Sequence, residues 1–443
     1  MSTASAQKAP TRFGIQDLEE IWSFLAPIER LEGLRALPKN EANDFFRSLN
    51  ARDQADLILS LPADRRLAWL QVLAPDDLAD MIQEVTPENR SVILSQLDDL
   101  TRKEVNALLA YAEDVAGGLM NPRYIRLRPD MTVEEAFSYL RKQAQEREHF
   151  YDAYVLDNDQ HLLGVVSFKE LFTAPYNSTI RHIMRTELVK AQEDLDQESV
   201  SRLFKQHNLV AIPVVDADNK MKGIVTLDDI VDVVQEEATE DIQKMGATES
   251  LNAPYLKVGL FEMVRKRASW LSALFLGEML TATAMAFFEK EIARAVVLAL
   301  FIPLIISSGG NSGSQATTLI IRAMALGDVR LRDWFKVIRR ELASGLALGT
   351  ILGMIGFARI MLWPSRQHLY GEYYPWIAFT IFCSLIGVVL FGTVAGSMLP
   401  FILRRLGFDP ASASAPFVAT LVDVTGLVIY FSAAQIILKG ILL

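Results

Sequence analysis

The chain has 443 residues, too many for one ordinary domain, and is 51% hydrophobic yet 22% charged. Its net charge of −10 divides unevenly: residues 1–250 hold 44 acidic against 27 basic residues (−17), and residues 251–443 hold 10 against 17 (+7). An acidic first half excludes nucleic acid as a partner, because phosphate would be repelled, and suits the collection of cations; the apolar, basic second half has the character of a membrane domain.

The single cysteine, Cys383, lies in an apolar run, so neither an internal disulfide nor a thiolate zinc site can form within one chain. No basic segment followed by an apolar core occupies the first 30 residues, so no cleavable leader is expected and entry into the membrane falls to later spans.

The first quarter is periodic. Leu37, Leu49, Leu61, Leu73, Val85 and Leu97 recur every twelve residues, and each is followed by a polar or proline-containing start signal such as Pro62-Ala63-Asp64 or Thr86-Pro87-Glu88. The pattern predicts short helices stacked into a superhelix. Most acids here cap helices or keep the surface soluble. Asp76, Asp77 and Asp80 differ: Asp76 and Asp80 share a helix face, and like charges there repel unless a cation or partner sits between them.

Residues 120–235 change to an α/β pattern. Strands are predicted at Ala153–Leu156 and Gly164–Ser167, and helices over 132–144 and 196–207. The segment repeats: Val155-Leu156-Asp157 returns as Val214-Val215-Asp216, and Gly164-Val165-Val166 as Gly223-Ile224-Val225, both 59 residues on. This doubling resembles a tandem pair of CBS domains, which bind adenosyl nucleotides or act as regulatory modules. The resemblance implies ATP at Thr226 and Asp229, with Ser167 and Glu170 in the first copy. A hydroxyl and an acid at that spacing also form a helix cap, and the residues leave the choice open.

Residues 228–241 contain seven acids (Asp228, Asp229, Asp232, Glu236, Glu237, Glu240 and Asp241) and no Lys or Arg. Hydrated Mg²⁺ could bridge such carboxylates through oxygen ligands and retained waters; a solvated polar helix is the alternative. The run stands between the α/β pair and the membrane half, where movement could be transmitted.

Five apolar segments follow, at about 269–288, 293–321, 342–362, 376–402 and 413–442, each long enough to cross a hydrocarbon core of ~30 Å. Residues 254–266 are expected as a short helix running up to the membrane, with Lys257 and Arg265 to Arg267 suited to an interfacial position. Twelve basic residues flank one side of the spans and five the other, which puts the N-terminus in the cytoplasm and the C-terminus outside. The second span holds Ser307-Ser308-Gly309-Gly310-Asn311-Ser312-Gly313, which could pack tightly, line a wet path or bend at the glycines. The fifth holds Asp423, costly to bury charged and without a basic residue nearby in its own span, so it must face a cavity, a cation or a partner. Glu278 in the first span raises the same question.

The order of parts, with Ala116-Gly117-Gly118-Leu119-Met120, Glu237-Ala238-Thr239-Glu240-Asp241, Gly309-Gly310-Asn311 and Leu421-Val422-Asp423-Val424-Thr425-Gly426, resembles the MgtE magnesium channel family over about residues 20–443. The resemblance implies a flexible tail (1–19), a cytosolic α-helical superhelix (20–119), an α/β tandem CBS pair (120–240), a connecting-helix region (241–268) and an all-α, five-span transmembrane pore domain (269–443). It implies a homodimer in the bacterial inner membrane, contacting lipid, with one pore on the two-fold axis. There Asp423 of each subunit would hold a hydrated Mg²⁺, with Asn311 and the Ala419 carbonyl on its waters. It further implies a regulatory Mg²⁺ set of Asp76, Asp80, Glu198, Asp229, Asp232, Glu237, Glu240 and Asp241, whose ions bridge the N domain, the CBS pair and the connecting helix and close the pore. Two positions depart from the family pattern: Asn208 stands at a sensor carboxylate, and Ala415 stands before Pro416 where relatives can carry Asn. Alternatives are a broader carrier of Mn²⁺, Co²⁺ or Ni²⁺, a CBS-regulated anion channel, which the acidic intramembrane charge opposes, and a membrane enzyme, which the scattered histidines do not support.

Overall fold

The computed structural model describes residues 14–143, 152–251, 255, 256 and 258–442; Lys257, assigned above to an interfacial position, lies outside the described residues. The chain divides into two units, with Gln235 closing the first and Glu236 opening the second.

The first unit begins with α1 (Ile15–Ile21), followed by α2 (Pro27–Ala36), α3 (Lys39–Ser48), α4 (Ala51–Ser60), α5 (Ala63–Leu70), α6 (Pro75–Gln83), α7 (Pro87–Gln96), α8 (Asp99–Leu108) and the short α9 (Ala116–Leu119). From α2 to α8 a helix starts every twelve residues, so the period in the sequence is the period of the structure. Pro27, Pro75 and Pro87 start their helices, where the missing N–H costs nothing. The recurring apolar residues end each unit: Leu37, Leu61, Leu73, Val85 and Leu97 are buried between neighbouring helices. Helix α1 starts inside the stretch expected as tail, because the Asp17 carboxylate accepts the Gly14 N–H at 2.9 Å and Leu18 is fully buried.

The α/β pair contains β1 (Arg126–Leu127), α10 (Val133–Gln143), β2 (Asp152–Leu156), β3 (Leu162–Ser167), α11 (Phe168–Thr173) and α12 (Ile180–Ile183), then β4 (Ala191–Gln192), α13 (Gln197–His207), β5 (Ala211–Val215) and β6 (Met221–Thr226). Each copy is a three-stranded sheet in which the first two strands run parallel and the last two antiparallel. The register irregularity falls between Val155 and Leu156 in one copy and between Val214 and Val215 in the other, at the same repeat position. One core joins the helical repeat to the second copy: Met81, Ile82 and Val105 cluster with Val200, Phe204, Val214 and Val225. Burial of this shared apolar surface makes the helical repeat and the α/β pair one compact unit. Helix α14 (Leu227–Met245) then starts directly after β6, earlier than the expected connecting-helix region.

The second unit is helical. Its long helices are α15 (Leu260–Phe287), α17 (Ile302–Ala325), α18 (Trp334–Met361), α20 (Tyr374–Arg405) and α21 (Ala415–Leu438), with short helices α16 (Glu289–Arg294) and α19 (Arg366–Tyr370). All five long helices are apolar enough to cross a membrane, and at 28 residues α15 would reach ~42 Å. Of the short helix expected over 254–266 to run up to the membrane, the part from Leu260 is helical. It forms the first turns of α15, since nothing between Leu260 and Phe287 breaks a helix.

Helix α20 is the hub of this unit. On one side, α18 presents Gly345, Gly349, Gly353 and Gly356, and side chains built there would run into Leu390, Ile386, Phe382 and Leu385 of α20. On the other, Gly309 and Gly313 of α17 meet Gly392 and Gly396 of α20 backbone to backbone. Ser312 and Thr393 share a hydrogen bond of 2.8 Å, and the Thr317 hydroxyl donates to the Gly396 carbonyl at 2.8 Å. Small residues permit this approach, and packing and interhelical hydrogen bonds then supply the cohesion that lipid does not.

Candidate functional site

Asp423 lies near the middle of α21, one turn beyond Ala419. A methyl group built on Gly310 of α17 would sit 3.5 Å from Ala419 Cβ, and one on Gly309 would press on Val422. The α17–α21 seam therefore packs the Gly309–Gly310 pair, which precedes Asn311, against the turn of α21 between Ala419 and Val422, next to Asp423. Asn311 is exposed on the chain's surface, and Asp423 and Ala419 are partly so. Among the described residues, no hydrogen bond or ion pair closes on the Asp423 carboxylate. Glu278 of α15, exposed on the same chain, lies within electrostatic reach of it. Helix α17 runs unbroken through Gly309 and Gly310, so these glycines serve close packing rather than a bend. Helix α21 starts at Ala415, followed by Pro416, and the buried Ser414 hydroxyl accepts the Phe417 N–H at 3.3 Å.

In the first unit the acids gather where α6 meets the second α/β copy. Asp76 is 7% exposed and accepts a hydrogen bond from the Asn121 amide at 3.1 Å. Burial, then repulsion from Asp229, Asp77 and Asp80, holds Asp76 well above the usual carboxylate range. Burial likewise pushes Asp229 up to about 7, although Thr226 donates to it and works the other way; Asp228 and Asp77 add repulsion. Burial and Asp228 also raise Asp232. Asp80, on the same helix, is exposed. A group of hard carboxylate oxygens around the buried Asp76, with one amide, would suit Mg²⁺, which would relieve the repulsion between them.

Other expected residues are placed differently. Glu198 forms an ion pair of 3.0 Å with Arg202 one turn away. Asn208 ends α13 with φ 50°, a left-handed cap that asparagine adopts readily. The Thr226 hydroxyl donates to Asp229 at 2.6 Å, and Ser167 does the same to Glu170 at 2.8 Å, so both pairs cap the helix that follows. Asp157, Asp159 and His161 come together in the β2–β3 turn. Asp157 accepts the N–H groups of Asp159 and His161, and Asp216 accepts those of Asp218 and Lys220 in the second copy. A lysine at the matching position marks this arrangement as turn chemistry.

On the connecting helix, Glu237 and Asp241 are partly buried. Glu240 lies 2.5 Å from Lys244, whose ammonium also reaches Asp409 at 2.7 Å. Burial opposes that charge, but the two carboxylates outweigh it and raise the lysine above its ordinary value. Asn121, Lys244 and Asp409 did not stand out in the sequence. The one signal in the sequence is that Lys244 is the first basic residue after the acidic run 228–241.

Comparison with known proteins covers most of the chain. Residues 13–114 match the model of the MgtE intracellular N domain, residues 112–177 and 180–236 match CBS domains, and residues 302–433 match the MgtE model, described as a divalent cation transporter. The chain is 39% identical over 429 residues to the magnesium transporter MgtE of Thermus thermophilus, covering 96% of this chain and 93% of that protein. It is 28% identical to the magnesium transporter MgtE of Enterococcus faecalis, over 96% and 98% of the two chains. A crystal structure of the cytosolic domain of the Mg²⁺ channel MgtE in complex with ATP is 39% identical and covers 50% of this chain and 90% of its own, with a TM-score of 0.47. With the family models matched in this order along the chain and 39% identity over nearly the whole length of a relative, the chain belongs to the MgtE family.

Proposed function

We propose that this chain is one subunit of a homodimeric Mg²⁺ channel of a bacterial inner membrane, shut by cytosolic Mg²⁺ bound to its acidic groups. The observation that carries the reading is Asp423: a carboxylate in mid-span, one turn beyond Ala419, with no protein partner among the described residues and a face left open. A carboxylate at that depth cannot face lipid without a cost of several kcal/mol, about 2.5–3.5 on insertion scales. A second copy applied to the same face would enclose two such carboxylates around a wet path. Mg²⁺ gives up water reluctantly, so carboxylate, amide and carbonyl oxygens arranged around its hydration shell select it by size and charge.

Basic residues Arg322, Arg330, Arg332, Lys336, Arg339 and Arg340 between the second and third spans support a cytoplasmic N-terminus and an external C-terminus. The gating reading rests on the carboxylates around Asp76 and Asp229 and on those of α14. At low Mg²⁺ their repulsion disfavours the packed arrangement; an ion that binds it better shifts the population toward closure. Expression in a strain lacking Mg²⁺ uptake tests the transport reading. The wild-type chain restores growth at low Mg²⁺, whereas Asp423→Ala at equal membrane abundance does not. Growth of that variant at the wild-type rate would refute the role of Asp423. Competition by Mn²⁺, Co²⁺ or Ni²⁺ in vesicle uptake separates a selective channel from a broad one.

A further inference from the structure

We propose that Lys244 is a positioning residue that latches the connecting helix to the segment carrying Asp423, and that it exchanges between two carboxylates as the pore closes. The inference rests on the gating reading above.

Lys244 is the only basic side chain of α14, a helix otherwise rich in acids. Its ammonium is held by Glu240, 2.5 Å away on its own helix, and by Asp409, 2.7 Å away in the connection between α20 and α21. Asp409 is itself anchored. Its other carboxylate oxygen accepts the Ala411 N–H at 2.8 Å, and its carbonyl accepts the Ser412 N–H at 3.1 Å, which builds the turn over Pro410–Ser412. That turn leads through the fully buried Ser414 into α21. Next to the ion pair, Met245 packs against Ile321, Ala411 and Ala413. The Ser314 hydroxyl of α17 donates to the Ala415 carbonyl at 3.2 Å, which ties the start of α21 to the helix bearing Asn311. A pull on Lys244 is therefore delivered to both helices that carry the candidate ion path.

One ammonium shared by two carboxylates is a divided bond. A cation that takes up the Glu240 carboxylate repels the ammonium and removes one acceptor, which leaves Asp409 as its sole partner. The helix is then held more tightly to the linker, and binding at the acidic face becomes closure at the pore.

The test is the cytosolic Mg²⁺ concentration that half-closes the full-length channel in excised patches, for the wild type, Lys244→Gln, Asp409→Asn, the double variant and Lys244→Arg. Asparagine keeps the acceptor that caps the turn, so Asp409→Asn removes the charge and spares the fold. Each single neutralisation raises the half-closing concentration about fivefold, in line with one partly exposed ion pair. The double variant shifts it no further than either single, Lys244→Arg restores it, and current without Mg²⁺ is unchanged. Singles within twofold of the wild type, or a double equal to the product of the singles, overturn the latch while gating stands. A wild-type channel that Mg²⁺ does not close overturns the gating reading and the latch with it.

Discussion

The side-chain amide of Asn121 donates to the carboxylate of Asp76 across 3.1 Å, where both residues are buried. The contact joins the helical repeat to the α/β pair at the point where Asp229 faces the same carboxylate. An amide satisfies one oxygen of Asp76 but leaves the repulsion between the acids in place, so this joint responds to whatever neutralises them.

Protons are the first such agent. Asp76 and Asp229 are both raised in the folded state, Asp229 to about 7. Folding therefore favours their protonated forms, and the stability they contribute is complete below the ordinary carboxylate range and is lost as pH rises through about 7. In metal-free protein, hydrogen exchange over residues 75–83, corrected for intrinsic rates, should quicken between pH 5.5 and 8. Asp229→Asn should flatten the trend. A profile independent of pH would contradict the burial of these acids.

Removing the amide tests the joint directly. Asn121→Ala leaves an oxygen of a buried carboxylate without a donor and also deletes the acceptor of the Arg123 N–H. The expected loss is about 1–3 kcal/mol, read as a lower unfolding midpoint of the cytosolic unit. A midpoint equal to wild type would mean that Asp76 finds another donor.

The close seam between α17 and α20 predicts a contrast between two glycines. A methyl group at Gly396 would collide with the Gly313 carbonyl, whereas one at Gly310 would make ordinary contact with Ala419. Gly396→Ala should cost about 1–3 kcal/mol or more through forced separation of the helices, seen as a lower melting temperature in detergent. Gly310→Ala should melt as the wild type does.

Neutralising Glu237, Glu240 and Asp241 together should leave Mg²⁺ uptake intact and shift its shut-off to higher cytosolic Mg²⁺. Because Glu240 also holds Lys244, Glu237→Gln with Asp241→Asn isolates the cation-binding contribution. Unchanged shut-off in both variants would remove the connecting helix from the sensor.

The elements of this protein were legible where they depend on neighbours in the chain. Helices α2 to α8 start at the twelve-residue spacing visible in Leu37 to Leu97, because helix starts and the apolar residue that seals each turn are local choices. The 59-residue offset announced two like sheets, and length with hydropathy announced five spans, since both are sums over contiguous residues. The isolated carboxylate of Asp423 also stood out, because its cost in an apolar run needs no knowledge of the fold. What only tertiary structure decided is which groups meet. Asn121 reaches Asp76 across 45 residues and Lys244 reaches Asp409 across 165, and Gly392 and Gly396 gain their meaning only against α17. Such partners are chosen by the packing of whole helices, driven by surface buried far from either residue, and so leave no periodic trace in the chain.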